Sequence, residues 1–195
     1  GEVDRNALAL YMRHNTVPAP WSIYKGIAKL PPAHYVVIGE GGRAVGEPHC
    51  YWDLGQVAEQ GVANAGGEPE ALTDELDVLL RDAVGRRMAA DVPLGTFLSG
   101  GYDSTTVAAL MQAQSERPVK TFSSGSHTKS YNEAQHARAV AEHLGTDHTE
   151  LYVTSDDAVA VIPKLPSMYD ESFLDSSQIP TFPVSQLARQ HVTVA

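Results

Sequence analysis

The sequence predicts an α/β fold, a mostly parallel sheet with helices on both faces, preceded by a small β-rich segment. Three observations predict it. From residue 70 onward, short apolar runs with strand character alternate with segments of helical periodicity. One such run, Val92 to Leu98, leads directly through Ser99-Gly100-Gly101 into a helix-like pattern. Residues 1–53, in contrast, are rich in Pro and Tyr and read as short strands and turns. Alternation at this spacing implies βαβ units, whose parallel strands need crossover helices and are covered on both faces.

Leu8, Tyr11 and Met12 suggest a turn or two of helix, broken by Pro18 and Pro20. Tyr35-Val36-Val37-Ile38 is expected as a strand, turned by Gly39-Glu40-Gly41-Gly42 toward a hairpin partner before Tyr51-Trp52. Residues 54–70, with Gly61, Gly66 and Gly67 among small and polar residues, read as a linker. Pro69 suits the first position of a helix whose apolar stripe is Leu72, Leu76, Leu79, Leu80, Ala83 and Val84. Thr105 to Gln114 is expected as a helix and Val119 to Phe122 as the second strand. Asn132 with Gln135 signals the start of a helix that ends at Gly145. Glu150 to Val153 is the third strand, and Thr154 with Asp157 caps the helix that follows. Pro163 and Pro166 interrupt that helix. Val184, Leu187 and Ala188 mark one more, before a last strand at 192–195.

Composition narrows the function classes. With 43% hydrophobic and 19% charged residues, the 195-residue chain has the make-up of an ordinary soluble globular protein. No apolar run approaches 18 residues, so no transmembrane helix is expected, and the first residues lack the features of a signal peptide. The cytoplasm is the expected location. A net charge of −10 argues against general nucleic-acid binding, which needs a basic face. A phosphate ligand would have to be held locally, by backbone N–H groups and a helix end. Cys50, the sole cysteine, reads as a small packing residue. His143 and His148, and His127 and His136, lack metal-binding helix spacing and read as surface or packing residues.

The chemistry concentrates in Ser99-Gly100-Gly101-Tyr102-Asp103-Ser104. Gly100 and Gly101 allow close backbone approach and positive φ without a Cβ penalty. Free N–H groups at the start of the following helix favour an anion. Ser99 and Ser104 supply hydroxyl donors. Asp103 beside a phosphate would be repulsive unless a cation lies between them, which makes it a natural Mg²⁺ ligand. The loop is no Walker A motif, since no lysine follows the glycines. A capped Gly-rich turn is the bland alternative, yet chance yields this pattern in roughly one in several thousand chains of this length.

The same residues resemble the pyrophosphate loop of the ATP pyrophosphatase family, which implies an adenine-nucleotide α-hydrolase-like fold. Further stretches are similar to glutamine-dependent asparagine synthetases of the bacterial type. They include Thr121-Phe122-Ser123-Ser124-Gly125, Tyr131-Asn132-Glu133-Ala134, Leu144-Gly145-Thr146 with His148, Tyr169-Asp170-Glu171, and the run from Asp175 to Thr181. The end of the chain, 187–195, continues the likeness, which covers nearly the whole sequence.

The resemblance implies that the backbone around Leu98 and Ser124 holds adenine and that Ser99, Gly100, Gly101, Asp103 and Ser104 hold the phosphates, with Mg²⁺ on Asp103. Its implied reaction joins aspartate to ATP as β-aspartyl-AMP with release of pyrophosphate, followed by attack of ammonia drawn from glutamine. Asp170 to Thr181 would help shape the acceptor site. Another carboxylate acceptor, or an ATP- or AMP-binding module without chemistry, stays open as an alternative. Three positions depart from the pattern. Tyr102 replaces an aliphatic residue, Ser124 replaces Ile or Val, and Pro183 replaces Leu.

By the same resemblance, 1–53 is the C-terminal remnant of a glutaminase domain, 54–70 the linker, and 71–195 the first part of the synthetase domain. Glutamine hydrolysis needs an N-terminal cysteine, whereas residue 1 is Gly. A second Ser-Gly loop and a lysine-bearing helical lobe would follow Ala195. An inactive fragment is therefore expected. Its N-terminal strands, lacking partners, should be disordered or covered in a homo-oligomer.

Overall fold

The computed structural model describes residues 1–43, 45–126, 134–172 and 174–195. The chain divides into two compact units. One comprises Gly1–Gly67 with Pro166–Asp175, and the other Glu68–Leu165 with Ser176–Ala195.

The first unit begins with α1 (Arg5–His14). The Asp4 carboxylate accepts from the N–H groups of Asn6 and Ala7, at 2.8 and 3.4 Å, and so caps the helix. Asn15, in the left-handed conformation at φ 61°, closes it by donating its N–H to Tyr11 O. The hairpin is shorter than the sequence suggests. Among the described residues, the strands of this hairpin are β1 (His34–Tyr35) and β2 (His49–Cys50), an antiparallel pair, while Val37, whose carbonyl accepts from Val45 N–H at 2.8 Å, and Ile38 lie exposed. The expected turn is present, with Gly39 N–H donating to Arg43 O. The expected linker contains α2 (Leu54–Ala63), whose N-terminus is capped by Asp53 accepting from Gln56 N–H, with Leu, Gln, Glu and Ala offsetting Gly55 and Gly61. Residues 166–175 return to this unit through Glu171, which accepts from Ile23 N–H at 3.1 Å and pairs with Lys29.

The second unit holds β3 (Gly95–Phe97), β4 (Lys120–Ser126) and β5 (Asp147–Val153) as a parallel sheet in the order β3-β4-β5. Register pairs Phe97 with Phe122 and Ser124 with Leu151. The expected last strand survives as a single parallel bridge, Leu94 to Val194, on the outer side of β3. It is held by Gly95 N–H donating to Val194 O at 2.9 Å.

Helices are α3 (Pro69–Met88), α4 (Tyr102–Ala113), α5 (Ala134–Leu144), α6 (Ser155–Val161), a 3₁₀ turn at Ile162–Lys164, α7 (Leu165–Met168) and α8 (Gln178–Ala188). Pro69 stands in the first turn of α3, and a reciprocal Thr154–Asp157 capping box opens α6. The Asn132 cap expected for α5 lies outside the described residues, but Gly145, at φ 71°, follows its end. Pro163 falls in the 3₁₀ turn, and Pro183 is accommodated inside α8. Among the described residues, no helix is long and apolar enough to cross a membrane.

Three apolar clusters fix these helices. Val84 of α3 meets Leu110, Met111 and Val119. Leu98 and Ala108 meet Ala137 and Ala141 of α5. On the opposite face of the sheet, Phe122 meets Val184, Ala188 and Val192. The α3 stripe packs only at its C-terminal end, since Leu72, Leu76 and Leu79 are exposed. At 1.5 Å per residue the helix is about 30 Å long, so its first turns overhang the shorter α4.

A polar layer lies between α5 and the sheet. His148 Nδ1 is 2.8 Å from Thr121 Oγ1, and its Nε2 is 3.2 Å from Ser123 Oγ. Thr121 Oγ1 also meets Thr146 Oγ1 at 2.9 Å. His148 is thus a packing residue with both ring nitrogens satisfied by hydroxyls. Glu150, on the same face of β5, accepts both arms of the Arg138 guanidinium, at 2.7 and 2.5 Å.

Two predictions follow from this packing. Phe122, 1% exposed, should cost about 3–5 kcal/mol when truncated to Ala, measured by urea denaturation. Burial, the largest influence, pushes His148 below its ordinary value of 6.5. The unfolded chain therefore gains a proton before the folded one does, and stability should fall as pH drops below about 6.5. Glu150, held low chiefly by hydrogen bonding from Arg138, adds a further loss at more acidic pH, as that carboxylate protonates. The urea midpoint of His148→Gln should change less than that of the wild type between about pH 7.5 and 5.5. Equal changes would contradict this origin.

Candidate phosphate-loop site

The loop from Ser99 to Ser104 leaves the carboxyl end of β3 and enters α4. Its position follows from the sheet. β4 and β5 lie on one side of β3, whereas the Val194 segment lies on the other. The chain thus changes direction at β3, and crevices at such switch points, beyond the carboxyl ends of the strands, are where open α/β sheets take ligands.

The two serines organise the turn. Ser104 Oγ accepts from Ser99 N–H at 3.2 Å, and the two hydroxyl oxygens are 2.9 Å apart. Gly101 N–H donates to Ser99 Oγ at 3.3 Å. Thr105 N–H donates to Gly101 O at 3.0 Å. The turn is therefore closed by its own side chains before any ligand is considered. Gly101 is the N-cap of α4 and makes no side-chain cap bond. N–H groups in the first turn of a helix have no intrahelical acceptors, so those of α4 face the loop as anion donors.

The glycines have separate roles. Gly100 has φ 79°, and a Cβ there would lie 2.7 Å from His136 Cβ and 2.8 Å from Ala137 N. Both its conformation and its contact with α5 exclude a side chain. Gly101, expected to use positive φ as well, is extended at φ −77°. A Cβ there would meet only Ser99 Oγ, at 3.4 Å, so its value lies in an open backbone.

The remaining expected residues distribute as follows. Leu98 is buried beneath the loop, its N–H donating to Phe122 O at 2.8 Å. Ser124 is two residues beyond Phe122, the register partner of Phe97, near the carboxyl end of β4, and by strand alternation its side chain is on the Phe122 face of the sheet. Asp103 is exposed in the first turn of α4, and Tyr102 is 95% exposed, its hydroxyl free to stay in water. Thr105 Oγ1, one turn into α4, is buried and has no hydrogen-bond partner among the described residues. The stretch from Asp170 to Thr181 is split. Asp170 and Glu171 line a cleft with Tyr24, Ile27 and Lys29 in the first unit, while Gln178 to Thr181 open α8 in the second. Among the described residues, no group of three or more His, Cys, Asp and Glu side chains could hold a metal.

Sequence reasoning missed Arg138, Glu150 and Tyr152. The available signal was the period-two series His148, Glu150, Tyr152 along one face of a strand, opposite the buried Thr121 and Ser123.

Residues 75–195 match the asparagine synthase family. The whole chain is 35% identical over 193 residues to a Methanocaldococcus jannaschii protein provisionally named glutamine-hydrolysing asparagine synthetase 2, covering 98% of this chain and 36% of that one. It is 28% identical to glutamine-hydrolysing asparagine synthetase 1 of Bacillus subtilis, covering 100% and 29%. The chain thus spans about a third of the length of the curated relatives it matches. Among solved structures it is similar to an NMN synthetase from Francisella tularensis, at 18% identity and a TM-score of 0.41, covering 65% of this chain and 52% of that one. With the loop, the parallel sheet and the match over most of its length, this chain belongs to the asparagine synthase family.

Proposed function

We propose that this chain is the ATP-binding portion of an ATP-dependent amidotransferase that makes asparagine. The observation that carries the reading is the Ser99–Ser104 turn, opened by glycine and closed by two serines, where α4 starts at the switch point of the sheet. Its donor set suits a polyphosphate: the first N–H groups of α4 and the hydroxyls of Ser99 and Ser104, with Gly101 N–H joining them if it leaves Ser99 Oγ on binding. Leu98 and Ser124 would supply backbone to the adenine. Mg²⁺ fits beside Asp103, whose exposed carboxylate would share the ion with phosphate oxygens and water, the usual arrangement for this cation. When bound, the ion neutralises charge on the phosphates.

In the reaction this reading implies, a carboxylate oxygen of aspartate attacks the α-phosphorus of ATP. The bond from that phosphorus to the bridging oxygen breaks, and pyrophosphate leaves with the electron pair. Ammonia then attacks the activated carbonyl and AMP leaves. This chain's part is to hold the pyrophosphate in line and stabilise the charge it gains, through dipoles fixed in advance. Of the Asp170–Thr181 stretch, the part in the same unit as the loop, from Ser176 to Thr181, would contribute to the aspartate site.

Calorimetric titration with ATP tests the binding. Affinity should rise about tenfold on adding Mg²⁺ and lose that rise in Asp103→Ala. Equal Mg²⁺ dependence in both proteins would remove Asp103 from the metal role. Gly100→Ala should lose nucleotide binding and also about 1–3 kcal/mol of stability, because the new methyl meets α5 from a left-handed backbone. Unchanged ATP affinity in that variant would place the nucleotide elsewhere.

A further inference from the structure

Among the described residues, the phosphate loop lies close to α5. His136 and Ala137, in the first turns of α5, lie against the Gly100 backbone, so the position of α5 sets the position of the loop. What fixes α5 is therefore of functional interest. Its buried face is made of Ala134, Ala137 and Ala141. Alanine lets the helix come close to Leu98 and Ala108, and Val140 and Leu144 pack partly buried beside them, but these apolar contacts are non-directional and leave some freedom in the register of the helix along the strands.

Arg138 removes that freedom. It directly follows Ala137 and reaches across to β5, where Nε is 2.7 Å from Glu150 Oε1 and Nη2 is 2.5 Å from Glu150 Oε2. Two parallel bonds fix direction as well as distance. The Glu150 side chain is only 11% exposed and receives a third donor, the Tyr152 hydroxyl, at 3.1 Å. The Arg138 side chain is 54% exposed, so it is the two-bond geometry and the low exposure of Glu150 that separate the pair from an ordinary surface ion pair, which contributes little. Beyond Glu150 Oε1, at 3.7 Å, stands Nε2 of His148, whose ring is bonded to Thr121 and Ser123 of β4. Glu142, on α5, is the other acidic group beside this layer.

We propose that the Arg138–Glu150 pair positions the phosphate loop, by locking the first turns of α5 against the Gly100 backbone. The pair touches no ligand and acts through α5. Because Ser123 precedes Ser124, the same polar layer ties the β4 side of the site to the loop side. The effect on nucleotide rests on the function proposed above, whereas the effect on the free loop does not.

The test uses the 195-residue chain and two readouts, the amide NMR shifts of Ser99 to Ser104 without nucleotide and the affinity for Mg·ATP. Glu150→Gln should move the Gly100 and Gly101 amides and weaken Mg·ATP about tenfold. Arg138→Lys, which keeps charge but not the fork, should do the same to a smaller extent. The exchanged pair, Arg138→Glu with Glu150→Arg, should recover part of both losses. Lys120→Gln is the control. It breaks an ion pair with Asp147 at the opposite end of the same two strands, so it probes general loosening of the sheet. Loop amides that stay fixed in Glu150→Gln, or that move as far in Lys120→Gln, would overturn the proposal. Should Glu150→Gln not fold, Arg138→Lys carries the comparison. If the wild-type chain binds no Mg·ATP, the nucleotide reading fails, and the free-loop shifts still decide the positioning role.

Discussion

The approach of the Gly100 backbone to the first turns of α5 is the constraint on which the site depends. A chain leaving β3 has to turn into α4 within a few residues and leave room for α5 on the same face of the sheet. Both demands fall on one position. At φ 79° and with Ala137 N 2.8 Å from where a Cβ would stand, only glycine satisfies them. The serine hydroxyls then close the turn internally, and the first N–H groups of α4 are left toward the crevice.

The two faces of the sheet solve different problems. Against α8, Phe122 and three aliphatic residues make an apolar contact that supplies cohesion. Against α5 the contact is partly polar, with alanines, Val140 and Leu144 in the apolar part and hydroxyls, imidazole, carboxylate and guanidinium alongside. Such a layer adds little net stability per bond but specifies one arrangement, because each buried polar group left unpaired costs more than a pair gains. Directional fixing is placed where the loop needs an exact neighbour. The cost is sensitivity to acid, since partial burial holds His148 below its ordinary value and hydrogen bonding from Arg138 holds Glu150 below its own.

Much of this could be read from the residues themselves. The alternation after residue 70, the Thr154–Asp157 cap, Pro69 and Gly145 depend on neighbours in sequence, and local rules reach them. Ser99 to Ser104 was legible because small residues, a carboxylate and a helix start coincide in six positions. Other features depend on distant partners. Nothing near Arg138 indicates that Glu150, 12 residues on, will accept its guanidinium. The α3 stripe has helical period along its length, but periodicity does not say where the neighbouring helix stops. Composition suggested a linker at 54–70, yet the single carboxylate of Asp53 is enough to start a helix there. Gly100 and Gly101 look equivalent in sequence and differ only once α5 stands beside one of them.

A structure of the chain crystallised with Mg²⁺ and a non-hydrolysable ATP analogue tests the central claim most directly. The account predicts the phosphate groups on the N–H groups at the start of α4, within hydrogen-bond reach of Ser99 and Ser104, with the metal against Asp103 and adenine beside Leu98 and Ser124. Analogue bound away from this turn, with the Ser99–Ser104 hydroxyl pair undisturbed and bare, would contradict it.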